Sequence, residues 1–168
     1  EVPNEPLPFP WETCMTMGDS WSYVPNDNYK PSHKLIQLLV KIVSRGGNFL
    51  LNIGPGPDGD WDPVAYSRLQ DIGKWMAFNG EGIYNSKPMA PYSSDNIYYT
   101  QSKGGETIYA FYLSEADAVS IPNQVELKNV AVIKGSTISL LGTTAKLKWK
   151  TEGTNTVITI PSSVAAKV

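Results

Sequence analysis

The sequence predicts an α/β segment over residues 1–86 followed by an all-β segment over residues 87–168, and three observations carry that prediction. Apolar residues recur at helical spacing from Leu35 to Val43 and again after Pro63. A short, nearly continuous apolar run, Phe49-Leu50-Leu51-Asn52-Ile53, lies between them. Beyond Lys87 the periodicity changes to two, in short runs punctuated by glycine. Side chains wind around a helix with a period of about 3.6 and alternate faces along a strand, so the two patterns specify different elements.

Residues 1–10 hold four prolines and read as an extended lead-in. Trp11 to Met17 is short and β-compatible, the end of a strand running into a long polar and aromatic loop from Gly18 to Pro31. Ser32 stands where an N-cap belongs, and Leu35, Ile36, Leu38, Leu39, Ile42 and Val43 follow helical spacing up to Gly46-Gly47, a natural stop. The run at 49–53 has the look of a strand buried on both faces of a parallel sheet. Gly54 to Asp60 breaks it, after which Asp62 as N-cap and Pro63 at the first helical position start a second helix through about Asn79. Trp75 falls on that helix's stripe with Arg68, Leu69 and Ile72 and is expected in the core, while His33 is expected to be exposed and without a role. Two strands cannot bury a parallel sheet unaided, so strand, helix, strand, helix is half of an α/β repeat. Strands are then expected at 97–100, 107–113, 130–133, 137–141, 147–150 and 156–160, the spacing of an antiparallel β-sandwich. The boundary falls within 86–94, where Pro88 and Pro91 interrupt the pattern.

Composition narrows the function. With 168 residues, 41% hydrophobic and 18% charged, the chain is globular, and a net charge of -2 gives no footprint for nucleic acid. No run of about 18 or more apolar residues suggests a membrane span. One cysteine and one histidine exclude an internal disulfide and Cys-rich or His-His metal ligation, so neither a metal nor a cofactor is expected. The chain opens on glutamate, which leads us to expect a longer parent chain. Self-association into a homo-oligomer stays open, and a secreted, periplasmic or lysosomal compartment is not readable.

Two motif matches fail on inspection. Gly54-x-Gly56-x-x-Gly59 resembles a dinucleotide fingerprint, but Pro55 and Pro57 lack the amide N–H groups that would hold a pyrophosphate, so a turn at Pro57-Asp58-Gly59 is the better account. Asp58, Asp60 and Asp62 alternate like a calcium loop, but Leu69 stands where the bidentate glutamate belongs and Pro63 where the loop glycine belongs.

The segment from Leu7 to Tyr29 points to carbohydrate. It sets Glu12 beside Trp11 and Cys14 and returns with Trp21. The apolar C–H face of a pyranose packs on indole, while a carboxylate binds hydroxyls or moves protons. Glu12 is open to three readings: a catalytic acid, a hydroxyl ligand or a structural carboxylate. Cys14 shares its strand face and, with nothing basic nearby, is expected to be a small buried hydrophobe. Trp21 lies in an irregular loop and is a candidate ligand contact.

Three blocks carry a family resemblance: Trp11-Glu12-Thr13-Cys14-Met15-Thr16 with Ser20-Trp21-Ser22-Tyr23; Ser44-Arg45-Gly46-Gly47-Asn48-Phe49-Leu50-Leu51-Asn52-Ile53-Gly54-Pro55; and Asn79-Gly80-Glu81-Gly82-Ile83-Tyr84. In this order and spacing they resemble the C-terminal half of the α-L-fucosidases, retaining glycoside hydrolases. The resemblance implies that residues 1–86 are the C-terminal part of a (β/α)8 barrel and 87–168 an antiparallel β-sandwich domain. It further implies a fucosylated oligosaccharide or glycoconjugate as substrate and a nucleophilic aspartate on an upstream barrel strand. The N-terminal barrel chain would then be a necessary partner. Glu12 becomes a candidate acid or positioning carboxylate, with Glu1 close to where the donor would lie. Trp21 would contact fucose, with Trp11 beside it, and Cys14 is a thiol of the same block. Glu12 and the Trp21 loop would lie at the C-terminal ends of strands, where such barrels do their chemistry. A noncatalytic carbohydrate-binding or structural module, which 87–168 alone would support, is the alternative.

Overall fold

The computed structural model describes residues 2–114 and 121–165. It divides into two compact units, Glu1–Tyr92 with Tyr99–Tyr109, and Ser93–Tyr98 with Ala110–Val168.

The first unit opens with strand β1 (Trp11–Thr16), helix α1 (Ser32–Val43), strand β2 (Gly47–Asn52) and helix α2 (Pro63–Asn79). β1 and β2 pair in parallel, with Glu12 opposite Asn48, Cys14 opposite Leu50, Met15 opposite Leu51 and Thr16 opposite Asn52. Parallel strands need a crossover, and α1 supplies it. Side chains alternate across the pleat, so odd and even positions of β1 face opposite ways. One face is covered: Met17, Leu35 and Ala65 form a buried cluster against which Leu51, Ile53, Leu69 and Ile72 pack. The other is not. Glu12, Cys14 and Asn48 are exposed and Leu50 is 49% exposed, so β2 is buried on one face rather than both.

The helix signals divide. Asp62 caps α2 by accepting from the Val64 N–H, with Pro63 at the start as expected. Ser32 does not cap α1, because the helix begins one residue earlier at a Pro31 cap and the Ser32 hydroxyl instead donates to Asp71 Oδ2 at 2.7 Å. That bond ties α1 to α2. Trp75 and His33 are both half-buried rather than core and exposed respectively. The Asn79–Tyr84 block forms the end of α2 and a 3-10 turn at Gly80–Gly82, held by the Thr100 hydroxyl on the Gly82 carbonyl at 2.7 Å and the Tyr109 hydroxyl on Glu81 at 2.8 Å. Burial first, and the Glu81 bond second, hold the Tyr109 phenol above its ordinary range.

A three-stranded sheet follows, in the order β3 (Ser86–Ser94), β4 (Ile97–Ser102), β5 (Ile108–Tyr112). β3 corrects the expectation that Pro88 and Pro91 forbid regular structure. It is an edge strand, and an edge tolerates residues that cannot donate to a ladder.

The second unit contains the antiparallel sheet β6 (Gln124–Leu127), β9 (Asn155–Thr159), β8 (Lys146–Glu152), β7 (Ile138–Ser139), in that order. Val125, Ile158 and Trp149 lie in one cross-strand row. A short helix α3 (Ser162–Ala165) follows. Residues 130–133, expected as a strand, are irregular. The buried Thr156 hydroxyl donates to the Val130 carbonyl at 2.8 Å and accepts from the Val132 N–H at 3.2 Å, so one side chain meets the backbone needs a ladder would have met. The strand lies earlier, at Gln124–Leu127, and the expected strand at 137–141 shrinks to two residues.

Among the described residues no helix is long and apolar enough to cross a membrane.

Candidate active site

β1 and β2 end together, and two loops leave their C-terminal ends. Met17 N–H donates to the Asn52 carbonyl at 2.9 Å, extending the pairing past Thr16. Lys30 then closes the end of β1, its ammonium donating to the carbonyls of Thr16 at 3.0 Å and Gly18 at 2.6 Å. Asp27 gathers the loop from within, accepting from the backbone N–H groups of Asp19, Ser20 and Asn28. A side chain at Gly18 would displace this carboxylate, because a Cβ would lie 2.2 Å from Asp27 Oδ2. The loop carrying Trp21 is therefore a built structure.

Its tip is clamped to the second loop. Asn52 Nδ2 donates to the Trp21 carbonyl at 2.8 Å, fixing the backbone while leaving the indole 61% exposed. Gly54 lets the loops touch backbone to backbone, since a Cβ would stand 2.5 Å from the Tyr23 nitrogen. Residues 56–60 form the expected turn: Gly59 has φ +84° and donates to the Gly56 carbonyl at 2.9 Å, and Gly56 donates to the Asp60 carbonyl at 2.7 Å. The three aspartates are accounted for locally, with Asp58 accepting from Asp60 N–H, Asp60 from Trp61 N–H and Tyr66 O–H, and Asp62 from Val64 N–H.

The sequence-nominated residues do not all meet. Trp11 and Glu12 are neighbours in the chain and therefore point to opposite faces of β1. Trp11 serves structure: its Nε1–H donates to the Arg45 carbonyl at 3.1 Å, and its ring covers Gly47, where a Cβ would lie 2.5 Å from the indole. Glu12 and Cys14 share the open face with Thr16, Asn48, Leu50 and Asn52. Cys14 is exposed, not buried, because that face has no cover. Glu12 is the second residue of β1, so at about 3.3 Å per residue it stands about 13 Å from the strand's C-terminal end. The Trp21 loop leaves the opposite end of that strand. Glu1 lies outside the described residues.

Sequence reasoning passed over Tyr23, Trp61 and Tyr66, which gather near the turn with Asp58 and Asp60. Tyr23 and Trp61 line one cleft there, and Trp61 meets Tyr66 at a ring separation of 5.5 Å. Trp61 between two aspartates was the available signal.

Known proteins resemble the chain in sequence and in fold. Residues 1–81 match the sequence family described as alpha-L-fucosidase, and residues 91–168 the one described as alpha-L-fucosidase C-terminal domain. The tissue alpha-L-fucosidase of Mus musculus is 36% identical over 146 residues, covering 83% of this chain and 31% of its own length. The plasma alpha-L-fucosidase of Homo sapiens is 34% identical over 155 residues, covering 88% and 32%. The chain thus spans about a third of the length of the curated relatives it matches. Among solved structures, Thermotoga maritima alpha-fucosidase in complex with fucose superposes with a TM-score of 0.82 at 25% identity, covering 98% of this chain and 38% of that one. Alpha-L-fucosidase isoenzyme 1 from Paenibacillus thiaminolyticus gives 0.80 at 27% identity, covering 96% and 39%. The fold class is the C-terminal part of a (β/α)8 barrel followed by an antiparallel β-sandwich domain.

Proposed function

Because the chain belongs to the α-L-fucosidase family, we propose that it supplies part of a retaining glycoside hydrolase that removes terminal α-L-fucose from glycans or glycoconjugates. The observation that carries this reading is the tandem match, catalytic family over 1–81 and C-terminal domain over 91–168, in the order those enzymes use. We assign residues 1–86 to the barrel and 87–168 to the β-sandwich domain on the same basis.

Retaining hydrolysis needs two carboxyl groups about 5–5.5 Å apart, one to attack the anomeric carbon and one to protonate the leaving oxygen. The open face of β1 and β2 carries a single carboxylate, Glu12, so the attacking aspartate belongs to chain outside these residues. Barrel chemistry takes place at the C-terminal ends of the strands, which supports Trp21 as the fucose contact and Glu12, deep on the same face, as a positioning carboxylate. Cys14 contributes surface to that face.

The longer enzyme containing this chain should release nitrophenol from a nitrophenyl α-L-fucoside, and the 168-residue chain alone should not. Release by the short chain would overturn the placement of the nucleophile, and silence of the long one the activity itself. Glu12→Gln should lower kcat about tenfold for good and poor leaving groups alike, whereas loss of a proton donor removes about 10²–10⁴ and falls mainly on poor leaving groups.

A further inference from the structure

Charge is unevenly distributed along this chain. Its formal net charge is -2, yet residues 121–165 hold five lysines against two acids, Glu126 and Glu152. Three of those lysines stand on one strand at every second position, and alternation puts Lys146, Lys148 and Lys150 on the same face of β8. All three are exposed, whereas Leu147 is buried and Trp149 half-buried, so the lysines line the outer face of the sheet. At about 6.6 Å for every two residues, the row runs about 13 Å. The strand register sets neutral hydrogen-bonding side chains beside it: Ser139 opposite Lys146, Thr159 opposite Lys148, and Gln124 opposite Thr159 on the far side. Neutralisation is uneven. Glu152 takes Lys150 at 2.5 Å and Asp95 takes Lys128 at 2.7 Å, while Lys146 and Lys148 make no ion pair among the described residues. Glu126, in the row of Lys150 across Val157, accepts from the Asn155 amide at 2.8 Å. Like charges on neighbouring positions of one face repel, and a bound polyanion relieves that repulsion.

We propose that this face, centred on Lys146 and Lys148, binds a sulfated polysaccharide chain, an interaction that goes beyond the hydrolase reading and does not depend on it. Sulfates meet the ammonium groups, and Ser139, Thr159 and Gln124 exchange hydrogen bonds with sugar hydroxyls. The chemistry of the face selects among polyanions. It carries no aromatic ring on which a nucleic-acid base could stack, and residues 87–168 contain no arginine to fork onto a phosphate. Lysines at strand spacing instead offer a line of point charges to a flexible chain that bears charge on successive sugars. The competing role for such lysines is to keep a sheet edge from pairing with another chain, because β7 covers β8 only at Lys146 and Leu147. That role is served by charge of either sign, whereas binding a sulfated chain needs positive charge.

Titrating the longer enzyme with heparin decides between the two roles. Wild type should bind saturably at low salt and lose affinity as salt rises, and heparin stripped of its sulfates should bind at least about tenfold more weakly. Lys146→Gln with Lys148→Gln should weaken binding about tenfold, the loss of two exposed charge contacts, and Lys146→Arg with Lys148→Arg should retain it. Lys146→Glu with Lys148→Glu keeps the edge charged and the protein soluble, and should abolish binding. Lys74→Gln, on α2, should leave it within about twofold. Nitrophenyl fucoside hydrolysis should also stay within about twofold in every variant. A wild type that binds heparin without hydrolysing the fucoside would overturn the hydrolase reading alone. Absence of wild-type binding, undiminished binding by the glutamate pair, an equal loss in Lys74→Gln, or tighter binding to single-stranded DNA of the same charge would each overturn the sulfated-chain face.

Discussion

The two ends of the β1–β2 pair are built for opposite purposes. At the N-terminal end a buried cation is tied in: Arg45, only 8% exposed, donates through Nε to the Asn4 carbonyl at 2.6 Å and through Nη1 to Ser44 Oγ at 3.1 Å, and its own carbonyl takes the Trp11 indole N–H. Its guanidinium stands 5.9 Å from the centre of the Tyr92 ring. At the C-terminal end Lys30, Asp27 and Asn52 hold the loop backbone, yet Trp21, Tyr23 and Trp61 are left exposed, the last two lining one cleft. Hydrogen bonding is spent on one end to bury groups and on the other to hold them out. A tryptophan's role therefore depends on which end it occupies, more than on the acid beside it in sequence.

Substitutions should separate the ends. The largest effect is expected from Arg45→Ala, which strips two charge-assisted bonds from a buried site. It should cost about 3 kcal/mol, read as a fall in melting temperature of about 6–12 °C. Gly47→Ala forces a methyl into the Trp11 ring and should cost about 1–3 kcal/mol by overpacking. Across the sheet the readout changes. Trp21→Ala should leave the melting temperature within about 1 °C, as exposed substitutions do, while raising KM for the aryl fucoside about tenfold. If Trp21→Ala and Arg45→Ala destabilise equally, the contrast between the ends fails.

The smallest effect is electrostatic. Asp60 has a folded-state value below its ordinary 3.8, chiefly through the Tyr66 hydroxyl. A depressed carboxylate contributes stability above its unfolded value and loses it as pH falls through the folded one, so this contribution should fade only below pH 3.8. Tyr66→Phe should move the Asp60 titration upward, toward 3.8, in a carboxyl NMR titration. An unmoved titration would mean that the hydroxyl does not hold Asp60.

Those contrasts also mark what the sequence could disclose. α2 was legible to the residue, because Asp62 and Pro63 encode its start in contacts made within one turn. Ser32 was misplaced because its hydroxyl bonds to Asp71, a partner distant in the chain that no local pattern records. The same holds for residues 130–133, whose apolar alternation is real but whose backbone is satisfied by Thr156. β3 was hidden by prolines that only an edge position excuses. That Glu12 and Cys14 share one face of β1 was readable, since alternation fixes faces, but that this face is open was not. The separation of Trp11 from Glu12 was readable on the same rule and was obscured by adjacency. The depth of Glu12 on its strand was not, because strand ends depend on pairing with β2. Trp61 was overlooked because Gly54 to Asp62 explained itself as a turn.

The contact of Gly54 with the Tyr23 backbone bears on how this fold can be rebuilt. Two loops that touch without intervening side chains have no spare thickness to absorb an insertion, and a clamp from Asn52 to Trp21 removes the remaining slack. Chimeras between relatives that exchange residues 18–31 alone, or 53–62 alone, would mismatch at that seam. Exchanging both together should transplant recognition as one module, with α1 retained between them as the spacer.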